Sequence, residues 1–281
     1  MADSTSIQAP AKTNLNLRVL RKREDGFHEI ETRMIRLSLA DRVDLSWTAE
    51  DKIELTCSDP ELPTGEANLA TKAVRALEER VGKQFSLRIH IEKNIPSGAG
   101  LGGGSSDAAA VLTGLNEMAN LNLSVGELAE VAGTIGSDVP FFIHDCACDC
   151  TGRGEVVTPV PDFDPKLSLV LAKPGFGVSA GWAYQKFLNS KTLPGISYLP
   201  QICPWGVMTN DLERPVFQKH LVLASMKMWL LNQPEVHAAM MSGSGSTMLA
   251  VLNKSDAGTE LSERIRNRFG KSTWTWAGHS Q

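Results

Sequence analysis

Apolar and polar residues alternate strictly over FSLRIHIE, with Phe85, Leu87, Ile89 and Ile91 on one side and Ser86, Arg88, His90 and Glu92 on the other. That period of two predicts a half-buried strand. Two further strand-like stretches, 12–20 and 27–47, flank the charged RKREDG, whose Asp25-Gly26 supplies a turn, so a hairpin is expected there. Helical spacing takes over in ANLATKAVRALEERVG, where Leu69, Ala73, Val74, Leu77 and Val81 share one face, and Ser124 with Glu127 forms a capping-box pattern ahead of another helix. SSDAAAVLTGLNEMANL predicts a helix opened by Ser105, Ser106 and Asp107. Farther on, KLSLVLAKP and TMLAVL predict strands, while HLVLASMKMWLLN and ELSERIRNRF predict helices; Leu221, Leu223, Met226, Met228 and Leu230 form an apolar stripe expected in the core. Strands and helices mix without regular alternation, which makes the fold class α+β. The proline-rich, aperiodic VVTPVPDFDPK predicts a boundary between a domain of residues 1–160 and one of residues 161–281.

Composition narrows the function. The 281 residues are 42% hydrophobic and 21% charged, enough apolar material for a sizeable core. Lys+Arg 28 against Asp+Glu 32 leave a net charge of −4, so no basic field exists to hold nucleic acid. No apolar run reaches the ~18 residues of a membrane span, and the opening MADSTSIQAPAKTN lacks the basic and apolar regions of a secretion leader; no membrane partner is expected. Five cysteines, with Cys146, Cys148 and Cys150 crowded together, do not make a disulfide framework and point to the cytoplasm. Their period of two suits a buried strand face better than a zinc knuckle.

Between the FSLRIHIE strand and the following helix, five of the seven residues from Gly98 to Gly104 are glycine. Such a loop brings backbone N–H groups close to an anion, and the helix N-terminus adds its own donors, so a phosphate is the expected guest. Gly98, Gly100 and Gly103 satisfy the dinucleotide pattern GxGxxG, but the ribose-binding acid ~20 residues later is missing. A Walker A loop fails because Gly104 stands where its lysine belongs, and the HRD and DFG segments of protein kinases do not occur.

PSGAGLGGGSSDAAAVL, residues 96–112, resembles the ATP loop of the GHMP kinase family. APAKTNLNLRVLRKREDGFHEIETRM, GSDVPFFIHDCACDCTGRGE, NDLE and MSGSGSTMLAVL resemble further motifs of that family in the same order, from about Ala9 to Leu252. The resemblance implies a two-domain GHMP kinase fold, with an N-terminal ribosomal-protein-S5-like domain and a C-terminal ferredoxin-like domain. It also implies ATP with Mg²⁺, and a small-molecule acceptor: a cytidine diphosphate derivative of methylerythritol, phosphorylated on its 2-hydroxyl for isoprenoid precursor synthesis. Lys12 in PAKTN and Asp138 in GSDVP take the family's catalytic positions, Asp138 accepting the hydroxyl proton and Lys12 favouring the developing negative charge. Outside the motifs, either would read as a surface residue, and Asp138 as a helix cap. By the same resemblance, Pro96, Ser97, Gly98, Ala99, Gly100, Leu101, Gly102, Gly103, Gly104, Ser105 and Ser106 wrap the ATP phosphates, with Asn68 beside the nucleotide. Ser106 is a candidate for the metal, whose protein ligand the sequence leaves unknown. Asn14, Gly243 and Gly245 fall on the acceptor side, and Phe27, His28 and Tyr184 supply the base site, the two aromatic rings sandwiching the pyrimidine. The chain departs from the family pattern at Phe27, where tyrosine is usual, and at Ala180, where threonine is usual. Arg18, Arg21, Lys22 and Arg23 are expected at a solvated hairpin tip, from which a diphosphate could draw one charge.

Overall fold

The hairpin forms from two long antiparallel strands, β1 (Ser4–Lys22) and β2 (His28–Trp47), joined through Gly26 at φ +86°. The computed structural model describes residues 3–281; Met1 and Ala2, the start of the opening segment and of the first domain, lie outside them. There follow β3 (Ile53–Cys57), α1 (Leu69–Val81), β4 (Leu87–Glu92), α2 (Gly103–Met118), α3 (Val125–Ile135), α4 (Val139–Ile143), β5 (Cys148–Thr151) and β6 (Val156–Pro159). The second half contributes β7 (Ser168–Lys173), α5 (Ala180–Phe187), β8 (Gln201–Cys203), β9 (Gly206–Asn210), α6 (Glu213–Lys219), α7 (Leu221–Leu231), β10 (Val236–Met241), β11 (Met248–Leu252), α8 (Gly258–Phe269) and β12 (Trp274–His279). Ser124 and Glu127 make the capping box that opens α3.

Two sheets result. The first runs β3-β4-β2-β1-β9-β8, with β5 and β6 continuing from β2; the second runs β10-β11-β7-β12. All pairs in the second sheet are antiparallel, and α7 and α8 supply its helical layer, which is the ferredoxin-like arrangement. Strand alternation explains the layering. Leu169 and Leu171 of β7 join Ile35, Leu37 and Leu39 of β2 in a core between the sheets, whereas Val170 and Ala172 join Leu223, Met226, Leu261 and Ile265 of the helices. The other face of the first sheet is covered by α1 to α4. The second half also reaches into the first sheet, because β9 pairs parallel with β1 through Asn16↔Thr209 and Leu17↔Asn210.

Two expectations change. Helix α2 begins at Gly103, so Ser105 and Ser106 sit inside its first turn and Asp107 just beyond it; Gly102, at φ +73°, is the residue that turns the chain into the helix, a geometry a serine cap does not adopt. Leu221 is 61% exposed because it opens α7, while Leu223, Met226 and Leu230 are buried. Cys148 and Cys150 are buried in the core under α2 and α4, with Cys146 half-buried just outside β5. Burial pushes the Cys150 thiol up to about 12.

Candidate active site

Seven consecutive residues of β1, Ala9 to Leu15, are buried, and among them Lys12, Thr13 and Asn14 are polar. A run like this requires cover on both faces and a partner for every polar group. The β1–β2 register shifts on either side of Lys12 to Asn14, between Pro10 and Lys12 and between Asn14 and Asn16, which is the bulged geometry that re-aims side chains beside functional sites. Lys12 Nζ donates to Asn14 Oδ1 at 2.9 Å and lies 3.6 Å from Asp138 Oδ2. Asn14 Nδ2 donates in turn to Thr32 Oγ1 of β2 at 2.7 Å. Asp138 occupies the N-cap position of α4, but among the described residues it makes no side-chain capping bond, and its carboxylate is partly open to solvent.

The glycine loop meets this pair directly. Gly98, Gly100 and Gly102 all have positive φ. A Cβ on Gly100 would fall 2.4 Å from Ser242 O, and one on Gly102 would fall 2.9 Å from Lys12 Cγ and 2.8 Å from the Phe142 ring. Lys12 N donates to Leu101 O at 2.9 Å, fixing the loop to β1. On its outer side the loop encloses a cradle of about 380 Å³ lined by Pro96 to Ser105, Asn68, Lys93 and Asp107. Ser106 lies buried behind the cradle, its Oγ without a partner among the described residues. Asn68 reaches the rim, but its amide is engaged in capping α1, accepting from Ala70 N at 2.9 Å and donating to Pro63 O at 2.7 Å. Beside it, Lys93 Nζ bridges Asp41 and Asp107, all three buried.

On its inner side the loop walls a second cleft of about 930 Å³, lined by Lys12, Asn14, Asp138, His28, Tyr184 and Gly243 among others. Gly98, Gly100 and Gly102 line both cavities. His28 and Tyr184 stack on each other with centroids 5.8 Å apart and planes 23° apart, and His28 Nε2 is buried without a partner among the described residues. Burial and nearby Lys22 lower the His28 pKa, which favours the neutral ring; burial, with Asp138 adding to it, raises that of the Tyr184 hydroxyl. Phe27 stands at the rim, 51% exposed, with the Arg153 guanidinium 4.8 Å over its ring. Tyr184 thus pairs with His28 rather than facing Phe27 directly. Gly243, at φ +54°, presents its open side to the lysine, whereas Gly245 packs against Met241 and Gly100 and does not line the cleft.

Sequence reasoning assigned no individual role to Arg153, Thr32 or Asn210, although each falls inside a motif stretch. Arg153 had a signal, a cation between two glycines in TGRGE; Thr32 and Asn210 matter only through contacts that the fold creates.

A cradle for an anion and a cleft for an acceptor, sharing one glycine wall with a lysine–carboxylate pair beside it, define a small-molecule kinase. Residues 68–145 match the GHMP kinases N terminal domain. The chain is 36% identical over 279 residues to the 4-diphosphocytidyl-2-C-methyl-D-erythritol kinase of Methylacidiphilum infernorum, covering 95% of this chain and 93% of that protein. It is 39% identical over 270 residues to the enzyme of the same name from Syntrophotalea carbinolica, covering 94% and 95%. A crystal structure of 4-(cytidine 5'-diphospho)-2C-methyl-D-erythritol kinase superposes with a TM-score of 0.81 at 32% identity, covering 98% of this chain and 99% of that one. A homoserine kinase from Cytophaga hutchinsonii shares the fold at a TM-score of 0.68 and 16% identity, covering 100% and 95%. The chain belongs to the 4-diphosphocytidyl-2-C-methyl-D-erythritol kinase family.

Proposed function

We propose that this chain transfers the γ-phosphoryl group of ATP to the 2-hydroxyl of 4-diphosphocytidyl-2-C-methyl-D-erythritol, a step of isoprenoid precursor synthesis. The observation that carries this reading is the shared wall: Gly98, Gly100 and Gly102 separate the glycine-lined cradle from a larger cleft, and Lys12 and Asp138 sit on the cleft side of it. ATP phosphates in the cradle meet the loop N–H groups and the N-terminus of α2. The acceptor fills the cleft with its hydroxyl between Lys12 and Asp138. Asp138 takes the hydroxyl proton as the oxygen bonds to the γ-phosphorus and ADP leaves, and the Lys12 ammonium opposes the charge growing on that oxygen. Mg²⁺ would arrive with ATP and neutralise phosphate charge; the buried, unpartnered Ser106 hydroxyl at the start of α2 fits a ligand for it.

Neutral His28 offers Nε2 to the polar edge of the cytosine, and Tyr184 backs that ring. Lys22 and Arg153 line the same cleft and give a diphosphate two cations. Ala180 lines the cleft as well, so the hydroxyl usual there in the family is absent, while Ser179 is occupied in capping α5 through Trp182 N. The division at residues 160/161 belongs to this reading, with β8 and β9 an excursion of the second domain onto the first sheet. So does a cytoplasmic setting, where ATP is held and the five free thiols stay reduced. No helix among the described residues is long and apolar enough to cross a membrane.

The test is ATP consumption measured across an acceptor panel: the cytidine diphosphate compound, base-free 2-C-methylerythritol 4-phosphate, mevalonate and homoserine. Turnover should be confined to the first, and equal turnover of the base-free acceptor would sink the assignment.

A further inference from the structure

We propose that Asn210 is a positioning residue whose carboxamide clamps the second glycine turn against Lys12 and Asn14, and that the NDLE block as a whole staples this turn to the strand carrying the lysine. Asn210 is buried at the end of β9, next to Leu17 in the β1–β9 pairing. Its Nδ2 donates to Met241 O at 2.7 Å and to Gly243 O at 2.8 Å, and its Oδ1 accepts from Leu212 N at 2.9 Å. One side chain therefore holds the carbonyls on both sides of Ser242.

The rest of the block bonds in two directions. Asp211 is tied to β1, its Oδ2 accepting from Val19 N at 2.8 Å and its N donating to Leu17 O at 2.9 Å. Glu213 is tied to the turn, Oε1 accepting from Met241 N at 2.9 Å while Oε2 pairs with the buried Lys227. None of these side chains lines either cavity among the described residues, so they act through the turn and not on a ligand.

The turn has no room to drift unnoticed. The Cβ position of Gly243 lies 3.1 Å from Gly100 O, 3.4 Å from Lys12 Nζ and 3.5 Å from Asn14 Oδ1. Ser242 Oγ donates to Gly100 O at 3.1 Å and accepts from Thr13 Oγ1 at 3.0 Å. A turn released from Asn210 would press on or leave the lysine and the phosphate loop together, and displacements of this size at a reacting centre are felt strongly in kcat.

The kinetic arm of the test rests on the kinase reading; the second arm does not. Asn210→Asp keeps the shape and the Leu212 bond but sets an oxygen against two carbonyl oxygens. It is compared with Ile265→Ala, a cavity beneath α8, which packs mainly on β7 and β12 rather than on the strands that flank the turn, both variants held below their melting temperatures. Asn210→Asp should lose about tenfold or more in kcat while KM for ATP stays within about threefold, and hydrogen–deuterium exchange of residues 240–248 should accelerate. Ile265→Ala should melt earlier yet keep its kcat and its exchange at the turn. If Asn210→Asp does not fold, Asn210→Ser is read in the same way. Unchanged exchange at the turn, or kcat near wild type in a folded variant, overturns the clamp. A wild-type protein that phosphorylates nothing in the panel refutes the kinase reading instead, and the exchange measurement still decides the clamp.

Discussion

Lys12 Nζ stands 3.6 Å from Asp138 Oδ2, beyond a tight hydrogen bond, while Asn14 Oδ1 takes one ammonium hydrogen at 2.9 Å. The pair is close enough to interact, and a hydroxyl oxygen about 2.8 Å from each group can reach both from the cleft. Asp138→Asn keeps the shape and loses the proton acceptor, so kcat should fall by about 10²–10⁴-fold with KM for ATP little changed. Lys12→Ala should also slow the chemical step, and the double variant should cost less than the product of the two. Steady-state kinetics on the four proteins decides it; a strictly multiplicative loss would show that the two groups do not act on one hydroxyl.

Gly100 is the least replaceable residue of the loop. Its φ of +75° costs an alanine about 1–2 kcal/mol, and the new Cβ would also sit 2.4 Å from Ser242 O. Gly100→Ala should therefore lose more than the conformational cost alone in urea unfolding and weaken ATP binding by calorimetry. Gly104→Ala, which meets only Leu69 at 3.7 Å, should be close to neutral in stability. Equal effects of the two would contradict the packing described at the loop.

Tyr184 backs His28, and its removal should damage base binding in two ways: by losing a stacking surface and by releasing the imidazole. Tyr184→Ala should raise KM for the cytidine acceptor by an amount equivalent to about 1–3 kcal/mol, whereas Tyr184→Phe should retain most of the affinity. Phe27→Ala, at an exposed rim beneath Arg153, should have the smaller effect. Reversal of that order would return the main base platform to position 27.

Asp107 shares Lys93 with Asp41 at the foot of α2, so two buried carboxylates meet one ammonium. Loss of water raises its pKa, Lys93 opposes the rise and Asp41 adds to it; the carboxyl is pushed up to about 7. Lys93, despite its burial, is held above its ordinary value by the two carboxylates. The folded Asp107 thus retains a proton that the unfolded chain releases near its ordinary value of 3.8. Its contribution to stability must fall as pH rises from about 4 through about 7. Thermal melts between about pH 5 and about pH 8 should show a steeper decline for wild type than for Asp107→Asn. Parallel curves would mean that Asp107 is ionised throughout.

The strictly periodic parts of this fold were legible because each buries one face: Leu87, Ile89 and Ile91 sit on one side of β4, and Leu69, Ala73, Val74 and Leu77 on one side of α1. β3 carries the same alternation over only five residues, too short a signal to stand out. The candidate pair Lys12 and Asp138 was legible only through its motifs. Lys12 and Asp138 have no local pattern of their own, and a lysine in an alternating strand reads as solvent-facing until the glycine loop and the Gly243 turn close over it. Asn68 shows the reverse problem. Its place beside the cradle was foreseen, but its amide turned out to be engaged in capping α1, a use equally compatible with the sequence. Arg153 and the His28–Tyr184 stack depend on the meeting of segments far apart in the chain, a relation that periodicity cannot encode.

The parallel pairing of β1 with β9 also bears on how the protein is made. Although the two pair through Asn16↔Thr209 and Leu17↔Asn210, the strand with the lysine leaves the ribosome well before its neighbour on that side, Gly206–Asn210. Until then the β1 edge near Asn16 and Leu17 offers unpaired backbone groups to any passing strand, the situation that invites wrong pairing. The candidate site is therefore a late product of biosynthesis, completed only after Asn210 and Gly243 have followed the lysine out of the ribosome.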